Sequence, residues 1–273
     1  MNPQPSEPQS DALPVELLPP QTPQTMIIAT ATGLRFSLDA DLPHYAPFSC
    51  SPPERRPRIT PFPRPPFVRS IVHHVPVPSL FFRIEVDGPA SVLRLTSPDG
   101  TNRLTRACVL ALTAAIDEAE LKRQLRPLII AGNRQFFSVG ADLNDIAALS
   151  GPEAYEFSAM GQSLMNAIAR YPVPVIAAIE GHCMGGGLDL ALACHRRIAS
   201  PHAVFGHRGA ALGLMTGWGG TQRLPRLIGK SRALELFIAA EKVSAGRALE
   251  IGLVDAIADD PVAEALRQLQ PQR

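Results

Sequence analysis

The sequence predicts an α/β fold with a mainly parallel sheet, from the pattern of residues 81–273 and from the composition of the chain. Short apolar segments typical of buried strands alternate with longer segments that carry apolar residues at helical spacing. Hydrophobic residues make up 45% of the chain, which is enough for a substantial core. Because alternating strands and helices form right-handed crossover units, we expect most of the strands to lie parallel.

The first part of this region is predicted to run strand, helix, strand. Val92-Leu-Arg-Leu-Thr96 alternates apolar and polar residues like a strand and stops at the turn Ser97-Pro-Asp-Gly100. Residues 105–120 place apolar side chains at helical spacing, with Thr105 as the N-cap. Pro127-Leu-Ile-Ile-Ala-Gly132 is apolar and ends at a glycine, which indicates a buried strand.

The remaining elements continue the alternation. A helix over 153–170 ends before Pro172 and Pro174, because proline cannot continue it. An apolar strand over 175–181 follows and leads into a glycine cluster. The later elements are a helix over 188–194, a short strand over 197–200, and helices over 231–240, 244–251 and 261–269.

Residues 1–80 differ in composition from the rest of the chain, with 18 of the 28 prolines between Pro3 and Pro78. Runs such as Pro61-Phe-Pro-Arg-Pro-Pro66 do not form helices or sheet ladders, because proline lacks a backbone N–H and restricts its neighbour. We expect a proline-rich extension that is largely disordered or loosely docked, followed by a domain over 81–273. Its role is open between a linker, a proline-rich ligand and a misplaced translation start.

Charge and composition argue against several classes of protein. With 26 Lys+Arg and 25 Asp+Glu the net charge is +1, so neither nucleic acid nor an anionic membrane is an expected partner. No segment has the roughly 20 apolar residues of a membrane span, and the first residues lack a signal-peptide pattern. The four cysteines have neither disulfide-framework nor metal-ligand spacing. We therefore expect a cytoplasmic protein without a metal site.

Two glycine-bearing segments, each following a predicted buried strand, are the candidates for chemistry. They are Phe136-Phe-Ser-Val-Gly-Ala-Asp-Leu143 and Gly181-His-Cys-Met-Gly-Gly-Gly-Leu-Asp-Leu190. Gly185-Gly-Gly187 allows close approach of the backbone to a ligand and opens a helix, whose free N–H groups attract an oxyanion. The spacing matches neither the P-loop nor the dinucleotide fingerprint. Taken alone, the cluster is equally compatible with tight packing of a helix against a strand.

Together with further motifs, the two segments resemble the crotonase (enoyl-CoA hydratase/isomerase) superfamily from about Ser91 to Ala258. The other motifs, in family order, are Phe205-Gly206, Gly219-Gly-Thr-Gln-Arg-Leu224, Leu227-Ile-Gly-Lys230 and Ala248-Leu-Glu-Ile-Gly-Leu-Val-Asp255. The resemblance implies a spiral of ββα units, an acyl-CoA thioester substrate and no cofactor beyond the coenzyme A of that substrate. It also implies a homotrimer or homohexamer, which we expect to be weaker than usual because only one helix is predicted after Ala258.

The resemblance also implies roles for individual residues. The backbone N–H groups of Ala141 and Gly186 would hold the thioester oxygen as it becomes an enolate. Asp189 would be an acid/base carboxylate, in place of the usual glutamate. The family's second glutamate corresponds to Gly209, so the second carboxylate is absent.

Neighbouring residues are expected to contact the substrate. Gly140, Asp142 and Leu143 would border the pantetheine arm of CoA, and Gly185 would also contact the substrate. His207 falls two residues before Gly209, and we expect it at the edge of the pocket, although an imidazole could replace a carboxylate as base.

The predicted function is acyl-CoA processing of the enoyl-CoA hydratase/isomerase type, as a lyase or an isomerase. The absent second carboxylate favours isomerisation with one base, whereas the usual activity of the family favours hydration with two. Thioester hydrolysis, decarboxylation and ring formation also occur on this scaffold and stay open. The alternative is a degenerate homologue that binds acyl-CoA or a protein without catalysis. Asp189 likewise has two interpretations, a proton-transfer group or a helix-start carboxylate bonded to backbone N–H groups.

Overall fold

The computed structural model describes residues 79–121 and 125–270. The strands are β1 (Phe82–Asp87), β2 (Ala90–Leu95), β3 (Leu128–Ala131), β4 (Phe136–Ser138), β5 (Val175–Ile179), β6 (His182–Met184), β7 (Arg196–Ala199), β8 (Val204–Gly206), β9 (Val243–Ser244) and β10 (Ala256–Ile257). The helices are α1 (Arg106–Leu121), α2 (Leu143–Ala147), α3 (Gly151–Ala169), α4 (Gly186–Ala193), α5 (Gly220–Ile228), α6 (Lys230–Ala239), α7 (Ala245–Glu250) and α8 (Pro261–Leu269), with a 3-10 turn at Gly209–Leu212. The extension predicted for residues 1–80 lies outside the described residues, apart from its last two.

The larger sheet has the strand order β1-β2-β3-β5-β7-β10. Its strands from β2 to β10 are parallel, and β1 pairs antiparallel with β2 at the edge. Every residue of β3 and β5 is buried, because α1 and α3 contribute to the core on one face and α8 packs on the other. Burial on both faces explains why these strands are continuously apolar in the sequence, and it confirms the predicted parallel sheet.

A second, four-stranded sheet with the order β4-β6-β8-β9 was not predicted. Its strands have at most three residues, which is too short to show a strand period in the sequence. The strands β4, β6 and β8 are parallel, and each follows a strand of the larger sheet, namely β3, β5 and β7. Their C-terminal ends therefore lie side by side, and each leads into one part of the candidate site.

The predicted helices are present with small changes of boundary. The Thr105 side chain accepts a hydrogen bond from the N–H of Cys108 at 3.2 Å, which confirms it as the cap of α1. Helix α4 begins at Gly186, two residues earlier than predicted, and α5 was not predicted. No helix in the described ranges is both long and apolar enough to cross a membrane.

Candidate functional site

The backbones of the two glycine-bearing segments lie against each other because β4 pairs with β6. Gly140 has φ of 90°, and a Cβ at this position would lie 2.6 Å from the backbone N of Gly186. A Cβ on Gly186 would lie 3.2 Å from the backbone N of Ala141. Glycine is needed at 140 both for its backbone conformation and for this close approach. The structure thus brings Ala141 and Gly186 together.

A buried hydroxyl supports the segment that carries Ala141. Ser138 is fully buried, and its Oγ donates to the carbonyl of Asn102 at 2.7 Å and accepts from the N–H of Gly140 at 3.0 Å. The carbonyl of Gly140 accepts from the N–H of Leu104 at 2.9 Å. These bonds hold the turn in one conformation. The sequence contained no signal for them, because Ser138 and Asn102 are 36 residues apart.

Trp218 forms a wall beside Gly186. A Cβ on Gly186 would lie 2.5 Å from its ring, and the ring also lies against Gly161 of α3. The indole N–H donates to the carbonyl of Phe157 at 3.2 Å. With 3% of its surface exposed, Trp218 is buried within the chain.

Asp189 lies in the first turn of α4 and is 2% exposed. Its Oδ2 accepts a hydrogen bond from the hydroxyl of Thr216, and its Oδ1 lies 3.2 Å from Nε2 of His207. Among the described residues no backbone N–H donates to this carboxylate, so the interpretation as a carboxylate bonded to backbone N–H groups is wrong. Thr216 was missed in the sequence, since a single threonine 27 residues away carries no pattern.

His207 is buried, and its place at the edge of a substrate pocket stays a prediction. It is 5% exposed, and its ring centroid lies 5.3 Å from that of Phe237 on α6. His207 is buried because it directly follows β8, which lies between β6 and β9, and because Phe237 of α6 packs on its ring. Gly220 completes this group, because a Cβ there would overlap Oδ1 of Asp189 and lie 3.0 Å from Nε2 of His207.

The structure has no room for a side chain at Gly209. This residue begins the 3-10 turn, and a Cβ on it would lie 2.7 Å from the carbonyl oxygen of Leu214. The backbone of the turn therefore leaves no space for a second carboxylate at position 209. Arg208, just before it, is exposed and forms no ion pair within the described part of the chain.

Asp142 shapes the start of α2. Its carboxylate accepts from the N–H of Asn144 at 2.9 Å and lies 3.3 Å from the guanidinium of Arg103. The bond from Asn144, followed by the contact with Arg103, lowers the pKa of Asp142 below its ordinary value. Leu143 is 53% exposed, so its side chain is accessible to a ligand.

Other polar residues around the core helix are structural. Nδ1 of His195 accepts from the N–H of Val175 at 2.8 Å. Cys183 and Cys194 are buried, and burial raises the pKa of Cys194 to about 12. Neither thiol is therefore suited to act as a nucleophile near neutral pH.

Comparisons with known proteins agree in sequence and in fold. A family model described as enoyl-CoA hydratase/isomerase matches residues 88–271. A probable enoyl-CoA hydratase from Bacillus subtilis is 42% identical over 178 residues, which cover 65% of this chain and 69% of that protein.

Solved structures show the same arrangement of elements. The enoyl-CoA hydratase from Thermoplasma volcanium is 35% identical with a TM-score of 0.66, covering 70% of this chain and 76% of its own. The DspI protein of Pseudomonas aeruginosa is 33% identical with a TM-score of 0.67, covering 70% of this chain and 74% of its own. The predicted crotonase-like fold is confirmed.

Proposed function

Because this chain belongs to the enoyl-CoA hydratase/isomerase family, we propose that it isomerises the double bond of an acyl-CoA thioester with a single base. In this proposal the N–H groups of Ala141 and Gly186 bind the thioester oxygen, and Asp189 transfers the proton. The observation that carries the proposal is the convergence of two backbone segments at the start of the helix that holds a buried carboxylate.

The geometry of the backbone supports an oxyanion site at Ala141 and Gly186. Neither N–H donates to a protein acceptor within the described residues, although the segments that carry them are in close contact. Gly186 opens a helix of eight residues, whose dipole favours negative charge at this end. Such fixed donors stabilise an enolate oxygen more than the neutral carbonyl, and the loss of one costs about 3 kcal/mol of barrier.

Asp189 supplies one carboxylate, which suits proton removal and return. It would take the proton from C2 of a 3-enoyl-CoA, and the electrons of that C–H bond would form the enolate. Return of the proton to C4 moves the double bond to C2–C3, with no net change in protons. Hydration is less well supported, because Gly209 has neither a carboxylate nor the space for one.

The burial of Asp189 supports a second candidate, a homologue that binds acyl-CoA without catalysis. The carboxylate is 2% exposed, with Thr216 and His207 at its two oxygens. In this case the polar group stabilises the start of α4, and no proton is transferred.

Incubation of the protein with crotonyl-CoA in heavy water, followed by mass spectrometry, separates these functions. Isomerase-type chemistry forms the 3-enoyl isomer, which chromatography separates from crotonyl-CoA, whereas hydration adds the mass of D2O. Because the proposed step returns the substrate's own proton, deuterium enters the acyl chain only where that proton exchanges with solvent. Asp189→Asn should abolish isomer formation, whereas Asp145→Asn, at an exposed carboxylate in α2, should leave it unchanged. Binding without isomer formation or deuterium incorporation would support the non-catalytic homologue.

The backbone donors have their own test. Ala141→Pro removes one N–H at a position that already carries a Cβ, so we expect turnover to fall by roughly 100-fold while the Kd for CoA changes much less. An equal loss in turnover and in binding would contradict the assignment of Ala141 as an oxyanion donor.

A further inference from the structure

His207 and Asp189 form a buried pair that the proposed reaction has so far left unused. Strand β8 pairs with β6, so the residue that follows β8 lies beside the helix that follows β6. This topology places Nε2 of His207 3.2 Å from Oδ1 of Asp189, with both side chains at most 5% exposed. Phe237 packs on the imidazole ring and fixes its position.

The two facing atoms have no hydrogen-bond partner within the described residues. Oδ1 of Asp189 and Nε2 of His207 are both fully buried, and their mutual geometry is not that of a hydrogen bond. A buried polar atom without a partner costs about 1–3 kcal/mol, and such atoms are rare in native proteins. The other carboxylate oxygen is occupied by the hydroxyl of Thr216. The free oxygen is thus the one that faces the imidazole.

We infer that His207 is the second proton-handling group, accepting through Nε2 the proton that Asp189 takes from the substrate. The inference rests on the proposed function, since it requires Asp189 to be the base. His207 acts through Asp189 and is therefore a positioning residue for the transferred proton.

The step balances in atoms and charge. The C–H bond of the acyl chain breaks, an O–H bond forms on Asp189, and the enolate carries the negative charge. The proton then moves from Asp189 to Nε2, which leaves a carboxylate beside an imidazolium. Its return along the same route to another carbon regenerates the neutral imidazole. A neutral imidazole beside a carboxylate therefore supplies the proton acceptor that Gly209 cannot.

The arrangement also explains the glycine at position 220. A Cβ there would overlap Oδ1 of Asp189 and crowd Nε2 of His207. Glycine leaves the two atoms free to move the few tenths of an ångström that aligned proton transfer requires.

The test measures the rate at which wild type, His207→Gln and His207→Phe convert crotonyl-CoA to its 3-enoyl isomer. Both variants remove the proton acceptor, and phenylalanine retains a ring to pack on Phe237 if glutamine impairs folding. We expect each to lower the turnover rate by about 10- to 100-fold with KM within about twofold of wild type. His202→Gln, at an exposed histidine before β8, is the matched control and should retain the full rate.

The double variant Asp189→Asn with His207→Gln should be no slower than Asp189→Asn alone, because His207 acts only through Asp189. If both His207 variants keep the wild-type rate while Asp189→Asn is inactive, the inference fails and the proposed function stands. The inference also fails if the loss of turnover only matches the fraction of unfolded protein, or if KM rises by the same factor as the turnover rate falls. If wild type forms no isomer, or Asp189→Asn remains active, the proposed function fails first and the inference falls with it.

Discussion

The hydroxyl of Thr216 is the one hydrogen-bond donor to Asp189 among the described residues, so Thr216→Val should be costly. Valine has nearly the same shape, and the substitution leaves a buried carboxylate without this bond. A hydrogen bond to a charged group contributes about 1.5–3 kcal/mol. We therefore expect the free energy of unfolding to fall by about 2 kcal/mol, which corresponds to a decrease in Tm of roughly 4–8 °C for a domain of this size.

The matched control is Thr113→Val in α1. Thr113 is also partly buried, but its hydroxyl donates to the carbonyl of Val109 within the same helix at 2.8 Å. Because that carbonyl also accepts a backbone hydrogen bond within the helix, we expect Thr113→Val to lower the free energy of unfolding by less than about 0.5 kcal/mol. Urea unfolding followed by circular dichroism measures both variants.

A second background tests the role of charge. In Asp189→Asn the acceptor is neutral, so the cost of Thr216→Val should fall to about 1 kcal/mol. A loss of unfolding free energy in Thr216→Val no larger than that in Thr113→Val would contradict this prediction. So would an equal loss in the aspartate and asparagine backgrounds.

Three further predictions follow from the described residues. Arg197 is 5% exposed and donates hydrogen bonds to two backbone carbonyls and to Asp255. Arg197→Met should therefore lower the free energy of unfolding by roughly 3 kcal/mol, whereas Arg196→Met, at an exposed arginine, should lower it by less than about 0.5 kcal/mol. Equal urea midpoints for the two variants would contradict this prediction. Gly209→Glu should destabilise the fold by about 2 kcal/mol, because its Cβ meets a backbone carbonyl, and it should add no hydratase activity in a crotonyl-CoA assay. Hydrogen bonds from the Ser97 side chain and then from Thr101 lower the pKa of Asp99 from 3.8 to about 2. The stabilisation from this carboxylate is therefore complete above pH 3.8 and lost as pH falls towards 2, and an NMR titration midpoint near 4 would refute it.

Much of the fold was readable in the sequence because the relevant signals are local. The strands β3 and β5 are buried on both faces, so every residue in them is apolar. Thr105 caps the next helix through a residue only three positions away. Gly140, Gly186 and Gly187 mark points of close approach, and the order of the glycine-bearing segments in the sequence indicated the family.

The small sheet was not readable, because three-residue strands such as β4, β6 and β8 show no period. Its strand order nevertheless determines the site, since it places the residues after β4, β6 and β8 next to one another. The contact of His207 with Asp189 was consequently not predictable, because it depends on the pairing of β8 with β6.

By itself, then, the sequence determined the alternation of strands and helices, the family resemblance and the loss of the second carboxylate at Gly209. Only the tertiary structure decided which polar groups meet Asp189, namely Thr216 from the segment before α5 and His207 from the end of β8. The physical reason is the sequence separation over which each interaction acts. Periodicity, capping and close-approach glycines depend on residues a few positions apart, whereas the surroundings of a buried carboxylate depend on how separate strands and helices pack.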